Sequence, residues 1–414
     1  MKRTILLAFL IAGIAHAQQQ DVNSEAFTSR GFIESYNEFY PQTVPIDTSN
    51  AVSEELLRWE FTWKISDSFQ INGGFDGRFD SHEEVERSWH LDWTDRTLQR
   101  PPMSIRDLNA VYNKGRFTVT AGKQFIRWGK ADILNPTDRF APRDFLELTD
   151  ADFLGVTAVR AVYATSNDSI DVVFQPLFTP SRTPLMNERW TFLPPDTWSD
   201  LIADYGARYP VRPSYGIRWN HTGSAAEYSF NYYDGYDNLP LFNVLPGPPG
   251  YDFAIQRFYP ELREYGGDLA VPMSWATLKA EVADFSSTNK LADEYVLYVL
   301  QLQRQVREWN FVGGYAGEVV YNSPSPFYFS PERGFARSFV GRAGWTIDPT
   351  KELALQGIAR QNGRGELVEA TYSQTFGQHW RATLGYVFIG GDEGDFIGEY
   401  NKNSHAIVAL RYSF

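Results

Sequence analysis

LRWEFTWKI, residues 57 to 65, is the stretch from which the fold is read. Leu57, Trp59, Phe61, Trp63 and Ile65 share one face; Arg58, Glu60, Thr62 and Lys64 share the other. This is the two-residue period of a strand, whose successive side chains point to opposite sides. The turn SDS leads into FQINGGFDGRF, where Phe69, Ile71, Phe75 and Phe79 alternate with Gln70, Asn72, Asp76 and Arg78. YGIRWNH (215–221), AEYSFNYY (226–233), FVGRAGWTI (339–347) and WRATLGYVF (380–388) repeat the pattern.

A strand of a soluble sandwich also alternates. Two features favour a membrane. The segments run to about 10 residues, the length a tilted strand needs to cross a bilayer. Their apolar faces are dense in aromatic residues near the ends, as in the girdles of membrane barrels; Phe, Tyr and Trp make up 16% of the chain. Lipid leaves no backbone group a partner in solvent, so such strands close on themselves. The reading is all-β: a transmembrane antiparallel β-barrel of 18 strands between residues 29 and 414. The first strand and the pair around 263–285, interrupted by GG and VP, carry the weakest pattern, and sixteen strands is the alternative count. Short turns (SDS, NKG, TSND, HTGS, DPTK) alternate with long connections at 80–103, 129–152, 179–211, 236–262, 322–335 and 390–404. Short periplasmic turns and long outer loops are the asymmetry expected of such barrels.

Lys2 and Arg3, the apolar run Ile5–Ala15 and Ala15-His16-Ala17 read as a secretory signal peptide, residues 1–17, leaving 18–414 as one barrel domain. Cleavage takes the net charge from −13 to −15, which argues against nucleic acid as a partner. The chain has no Cys, which excludes disulfides and thiolate sites.

The order breaks at GKQFIRWGKADILNPTDRFAPRDF, residues 122–145. Strict alternation would turn Lys123 and Arg127 to lipid, so either a bulge after Gly122 reverses the parity or the strand has left the hydrocarbon zone. Ile133, Leu134, Phe140, Phe145 and Leu146 need a surface to pack on, and the inner wall is the nearest. The charged set Lys123, Arg127, Lys130, Asp132, Asp138, Arg139, Arg143 and Asp144 is then a candidate pore constriction. A lid over the barrel mouth is the alternative. With 16 to 18 strands the lumen holds water, and predicted inward residues such as Arg58, Asp76, Arg160, Asp171, Arg218, Glu281 and Arg342 carry both signs.

Gly122-Lys123-Gln124, Trp128-Gly129 and Asn135-Pro136-Thr137-Asp138 resemble a motif, roughly G-[KR]-Q, W-G and N-P-x-D, of a broad, poorly characterised group of outer-membrane barrels. Alginate-export and carbohydrate-porin barrels are looser relatives in architecture. The terminal strand HAIVALRYSF, with Leu410, Tyr412 and Phe414 on its apolar side, resembles the signal that the barrel-assembly machinery reads in Gram-negative outer-membrane proteins. These resemblances imply an outer-membrane location amid lipid and lipopolysaccharide, and transport.

The function expected is porin-like diffusion of small polar or charged solutes. The alternative is a barrel that exports or binds polysaccharide, lined by inward aromatics; Tyr233, Trp275 and Tyr295 are the candidates. A barrel enzyme is the third reading. The chain has no H-E-x-x-H, no phosphate-binding glycine loop and no evident His–Ser context, so no catalytic residue, cofactor or metal is assigned. His82, His90, Glu83, Glu84 and Asp92 share one loop in which a divalent ion could sit, against the simpler reading of a solvated acidic loop.

Overall fold

The computed structural model describes residues 26–414 apart from 133, 194–200 and 325–328. The proposed signal segment and Ile133 lie outside the described residues. Eighteen antiparallel strands form one closed barrel. They are β1 Phe27–Phe39, β2 Ala51–Ser66, β3 Phe69–Asp80, β4 Met103–Lys114, β5 Phe117–Gln124, β6 Val156–Ala164, β7 Asp168–Gln175, β8 Ser214–Thr222 and β9 Glu227–Tyr236. The second half comprises β10 Glu261–Pro272, β11 Thr277–Ser286, β12 Glu294–Val306, β13 Trp309–Asn322, β14 Ser338–Asp348, β15 Lys351–Arg360, β16 Gly365–Phe376, β17 Trp380–Gly391 and β18 His405–Ser413. Each predicted strand corresponds to one of these.

Closure joins β1 to β18 in the register Phe32↔Ser413 to Phe39↔Ala406. Phe414 extends the pairing: its N–H and C=O exchange 2.9 Å hydrogen bonds with Gly31. Its ring covers that glycine, where an added Cβ would lie 2.6 Å from Phe414 Cζ.

The alternation of the sequence becomes two surfaces. Pairing sets Arg30, Glu60 and Arg58 inward, and Trp59, Phe61 and Trp63 outward. Aromatic rings stack across strands on the outer face, as in Trp309–Trp345 at 5.2 Å and Trp59–Phe75 at 5.8 Å. Trp63, Trp309, Trp345 and Trp380 ring the short-turn end, where amphipathic indoles suit a membrane interface.

Two structures in the long connections escaped the period-2 reading. Segment 202–208 pairs with 253–258, which pairs with 241–246, giving a small separate sheet. Leu91–Asp92 adds a short parallel pairing to β4.

Candidate functional site

The segment that breaks the alternation begins at the end of β5. Gly122 has φ of +125°, a conformation that favours glycine, and an added Cβ would meet Leu108 O at 2.3 Å. The pairing of β5 runs through Gly122 without an inserted residue. The bulge expected after Gly122 is therefore not there, and the positive φ of Gly122 marks the turn instead; a separate register shift lies in β4 on its β3 side, where Arg106 is skipped between the pairs Gly74↔Asp107 and Phe75↔Ile105. Lys123 avoids lipid: it is 1% exposed, and its ammonium sits 2.5 Å from Asp95. Gln124 donates to Ala158 O at 3.0 Å, and the strand stops there, four residues short of the predicted end.

From Phe125 the chain folds into the barrel and ties itself. The Asp138 carboxylate accepts the N–H groups of Trp128 at 2.5 Å and Gly129 at 2.7 Å, and the Arg127 guanidinium at 3.2 Å. The Asn135 amide donates to Ala131 O, and its oxygen accepts from Arg127 at 3.2 Å. Asp138 N–H returns to Asn135 O at 3.1 Å across Pro136. Gly129 leaves space beside Asn135, whose Cβ would be 2.6 Å from an added Cβ. The residues of the W-G and N-P-x-D motif are thus the knot of this loop.

The knot is fastened to the inner wall. Glu281 of β11 accepts the N–H groups of Lys130 at 3.0 Å, Ala131 at 3.1 Å and Thr137 at 2.9 Å, and the Thr137 hydroxyl at 2.9 Å. Trp128 donates its indole N–H to Asp171 of β7 at 3.0 Å. Arg218 of β8 donates to Trp128 O and pairs with Asp268 at 2.5 Å. Lys130 reaches Glu227 and Asp268, each at 3.3 Å. Lys279 holds Asp132 at 2.8 Å. Ile126, Trp128, Leu134 and Phe140 fill the space between, against Val173, Tyr233, Phe285 and Leu297. These wall residues lie within their strands, so the segment is inside the barrel rather than over its mouth.

Beyond the knot the charges are also engaged. Arg139 pairs with Glu332 at 2.8 Å, and Asp144 with Arg100 at 3.1 Å and Arg182 at 2.9 Å. Arg182 and Lys123 share Asp95. Burial alone would raise the Asp144 carboxyl; Arg100 and Arg182 overrule it and hold it well below the usual carboxylate range.

On the other side of the loop lies a cavity of about 360 Å³. The loop contributes Asp132, Leu134, Arg143, Phe145 and Leu148; β13 to β16 contribute Val312, Val340, Arg342, Ile358, Leu367 and Glu369. Of the eight candidate constriction residues, only Asp132 and Arg143 line this cavity. The signs are not treated alike. Asp132 is paired with Lys279, Glu332 with Arg139, and Glu369 accepts from Gln356 at 2.6 Å. Arg143 stacks over Phe153 at 4.3 Å, and neither it nor the exposed Arg342 has a carboxylate partner among the described residues.

The proposed sugar ladder does not assemble. Tyr233 is buried beside Phe140, Tyr295 is buried against Phe285, and Trp275 stands 54% exposed in the β10–β11 turn. The five polar residues considered for an ion in loop 81–102 also separate. Glu84 pairs with Arg100, His90 with Glu86, and Asp92 accepts from Thr94 and Asp95. His82 instead meets Asp47 at 2.9 Å and Glu188 at 2.6 Å, from two other loops. No spacing in the sequence announces that meeting.

No family model matches the chain, and no curated protein matches it. Solved structures do. Acinetobacter baumannii OccAB4 aligns with a TM-score of 0.56 at 9% identity, covering 96% of this chain and 100% of that one. A. baumannii OccAB3 gives 0.52 at 10%, covering 93% and 99%. Pseudomonas aeruginosa OpdQ gives 0.51 at 8%, covering 94% and 97%. At such identity the likeness is one of fold.

Proposed function

We propose that this chain is an outer-membrane, porin-like channel through which small organic anions carrying an apolar portion diffuse. The barrels it resembles in fold are outer-membrane porins. The observation that carries the reading is the cavity beside the folded-in loop, where Arg143 and Arg342, without carboxylate partners among the described residues, share the lining with apolar side chains. Inside a narrow passage such charges act at lower effective dielectric than on an open surface. Leu134, Phe145, Ile358 and Leu367 offer an anion's apolar body a place out of water. The absence of an aromatic ladder among the described residues weighs against the polysaccharide reading. Residues 1–17 would export the chain, and Phe414 with Tyr412 and Leu410 would present it to the assembly machinery among outer-membrane lipids.

The test is purified protein in a planar bilayer. A salt gradient should give a reversal potential on the anion side. Benzenesulfonate should reduce conductance at lower concentration than chloride-matched acetate or a neutral disaccharide does. Absence of channels, or equal block by the disaccharide, would overturn the reading.

A further inference from the structure

Three connections at the long-loop end bring one side chain each to a common point. They are Asp47 from 40–50, His82 from 81–102 and Glu188 from 176–213, and their ligand atoms all lie within 4.8 Å of one another. All three side chains are nearly enclosed, at 4%, 10% and 8% exposure. Both carboxylates converge on the same ring atom, His82 Nε2. One nitrogen carries one hydrogen, so it cannot point a good hydrogen bond at both oxygens. An ion at that point would take a lone pair from all three.

We propose that Asp47, His82 and Glu188 form a site for a zinc-class divalent cation that clips these three connections together. One imidazole and two carboxylates match the donor chemistry of zinc, with a fourth position left for water. Ligand atoms on a tetrahedral zinc stand roughly 3.3 Å apart, so His82 and the carboxylates must spread by about half an ångström from their present 2.6 and 2.9 Å. The outer groups are in place to hold Asp47: Ser49 N–H bonds it at 2.8 Å and Arg189 Nε at 3.1 Å. Arg189 is itself fixed by Ser49 O at 2.6 Å and by the Tyr40 ring at 3.6 Å.

The site is coupled to the passage through its neighbours in the chain. Glu188 is followed by Arg189 and Trp190, and Trp190 is buried in the same apolar cluster as Phe145 and Leu148. Those two residues line the large cavity. A bound ion therefore stiffens the packing above one wall of the passage. The site is independent of the solute reading: it stands on binding alone.

The experiment uses untagged, detergent-solubilised full-length barrel, stripped with chelator and titrated with zinc chloride. One zinc per chain is expected, with a rise in the heat-modifiable transition temperature. His82→Gln and Glu188→Gln should each weaken binding at least tenfold, while His90→Gln should bind like the native chain. Should the variants fail to fold, the native titration decides alone. If native protein binds no stoichiometric zinc, or binds as His82→Gln does, the three residues are an ion-pair cluster only and the proposal is overturned. A zinc-dependent drop in open-channel current fluctuation, absent in His82→Gln, would extend the clip to the passage. Unchanged fluctuation with intact binding would remove that coupling.

Discussion

Where loop 125–155 meets β7 to β12, polar groups are matched in detail. Glu281 alone accepts four hydrogen bonds from the loop, and Asp171, Arg218, Asp268 and Lys279 are each in ion pairs. Where the same loop faces β13 to β16, a cavity intervenes and Arg143 and Arg342 stand without carboxylate partners among the described residues. One wall anchors the loop; the other is left for something to pass. Charge on the inside of a barrel is thus not one kind of feature. Neutralised by a covalently attached partner, it contributes to structure. Left unneutralised beside water, it acts on solutes.

That contrast can be broken experimentally. Glu281→Ala should have the largest effect, orphaning two buried and one half-buried backbone N–H groups at a cost of roughly 3–6 kcal/mol. The heat-modifiable transition should fall, and conductance should rise as the loop leaves the wall. A normal transition and normal conductance would show that the wall does not hold the loop.

Asp144→Ala should rank next, at roughly 3 kcal/mol, because it takes a shared carboxylate from two buried guanidinium groups and leaves Arg100 to Glu54 and Glu84 and Arg182 to Asp95. Its pH dependence has a definite sign. Asp144 is held below its unfolded value, so its stabilisation is complete above about pH 4 and fades as pH falls further. Native and variant melting temperatures should therefore converge in acid. A gap that does not narrow between pH 5 and pH 2 would mean that packing, rather than charge, accounts for the loss.

Phe61→Arg should cost roughly 2–4 kcal/mol if the residue faces mid-membrane. The change would also uncover Gly73, which the ring now covers. Thr62→Arg points into the lumen beside Asn72 and should fold nearly normally. Equal losses from the two would mean the register of β2 is reversed.

Arg342→Ala should be the mildest in stability, within about 0.5 kcal/mol, yet it should shift the reversal potential toward cations. The shift should shrink between 0.1 M and 1 M salt, as the screening length falls from about 10 Å to 3 Å. Asp138→Asn, a change within the knot, should disturb folding rather than selectivity. The reverse outcome for this pair would erase the distinction between the two walls.

The sequence made the barrel legible because each strand carries its own two-residue period, a purely local signal. The inward fold of the loop was legible for a similar reason: Leu134, Phe140 and Phe145 needed burial, and only one surface was near. The fate of the loop's charges was not. Arg139 finds Glu332 at a separation of 193 residues, and Lys130 finds Glu227 at a separation of 97. Such pairings are set by closure of the barrel, which no window of sequence contains. The reversal at Lys123 was half legible. Gly122 flagged the place, but the choice between a bulge in β5 and a positive φ depended on the neighbouring strand. Asp47, His82 and Glu188 show the extreme case, three loops meeting without a motif in any of them.

The contact between Phe414 and Gly31 also has a bearing on time. Each hairpin of the barrel joins neighbours in sequence and can form early at small entropic cost. The seam joins β18 to β1, as in Val408 against Asn37, 371 residues apart. It is the costliest pairing to close, because its two partners lie farther apart in sequence than those of any hairpin. Until Phe414 settles over Gly31, β1 and β18 both present unpaired edges, each a template for a wrong partner. The terminal aromatic residue is therefore the latch whose engagement ends the vulnerable interval, and a chain lacking it should linger in the state with open edges.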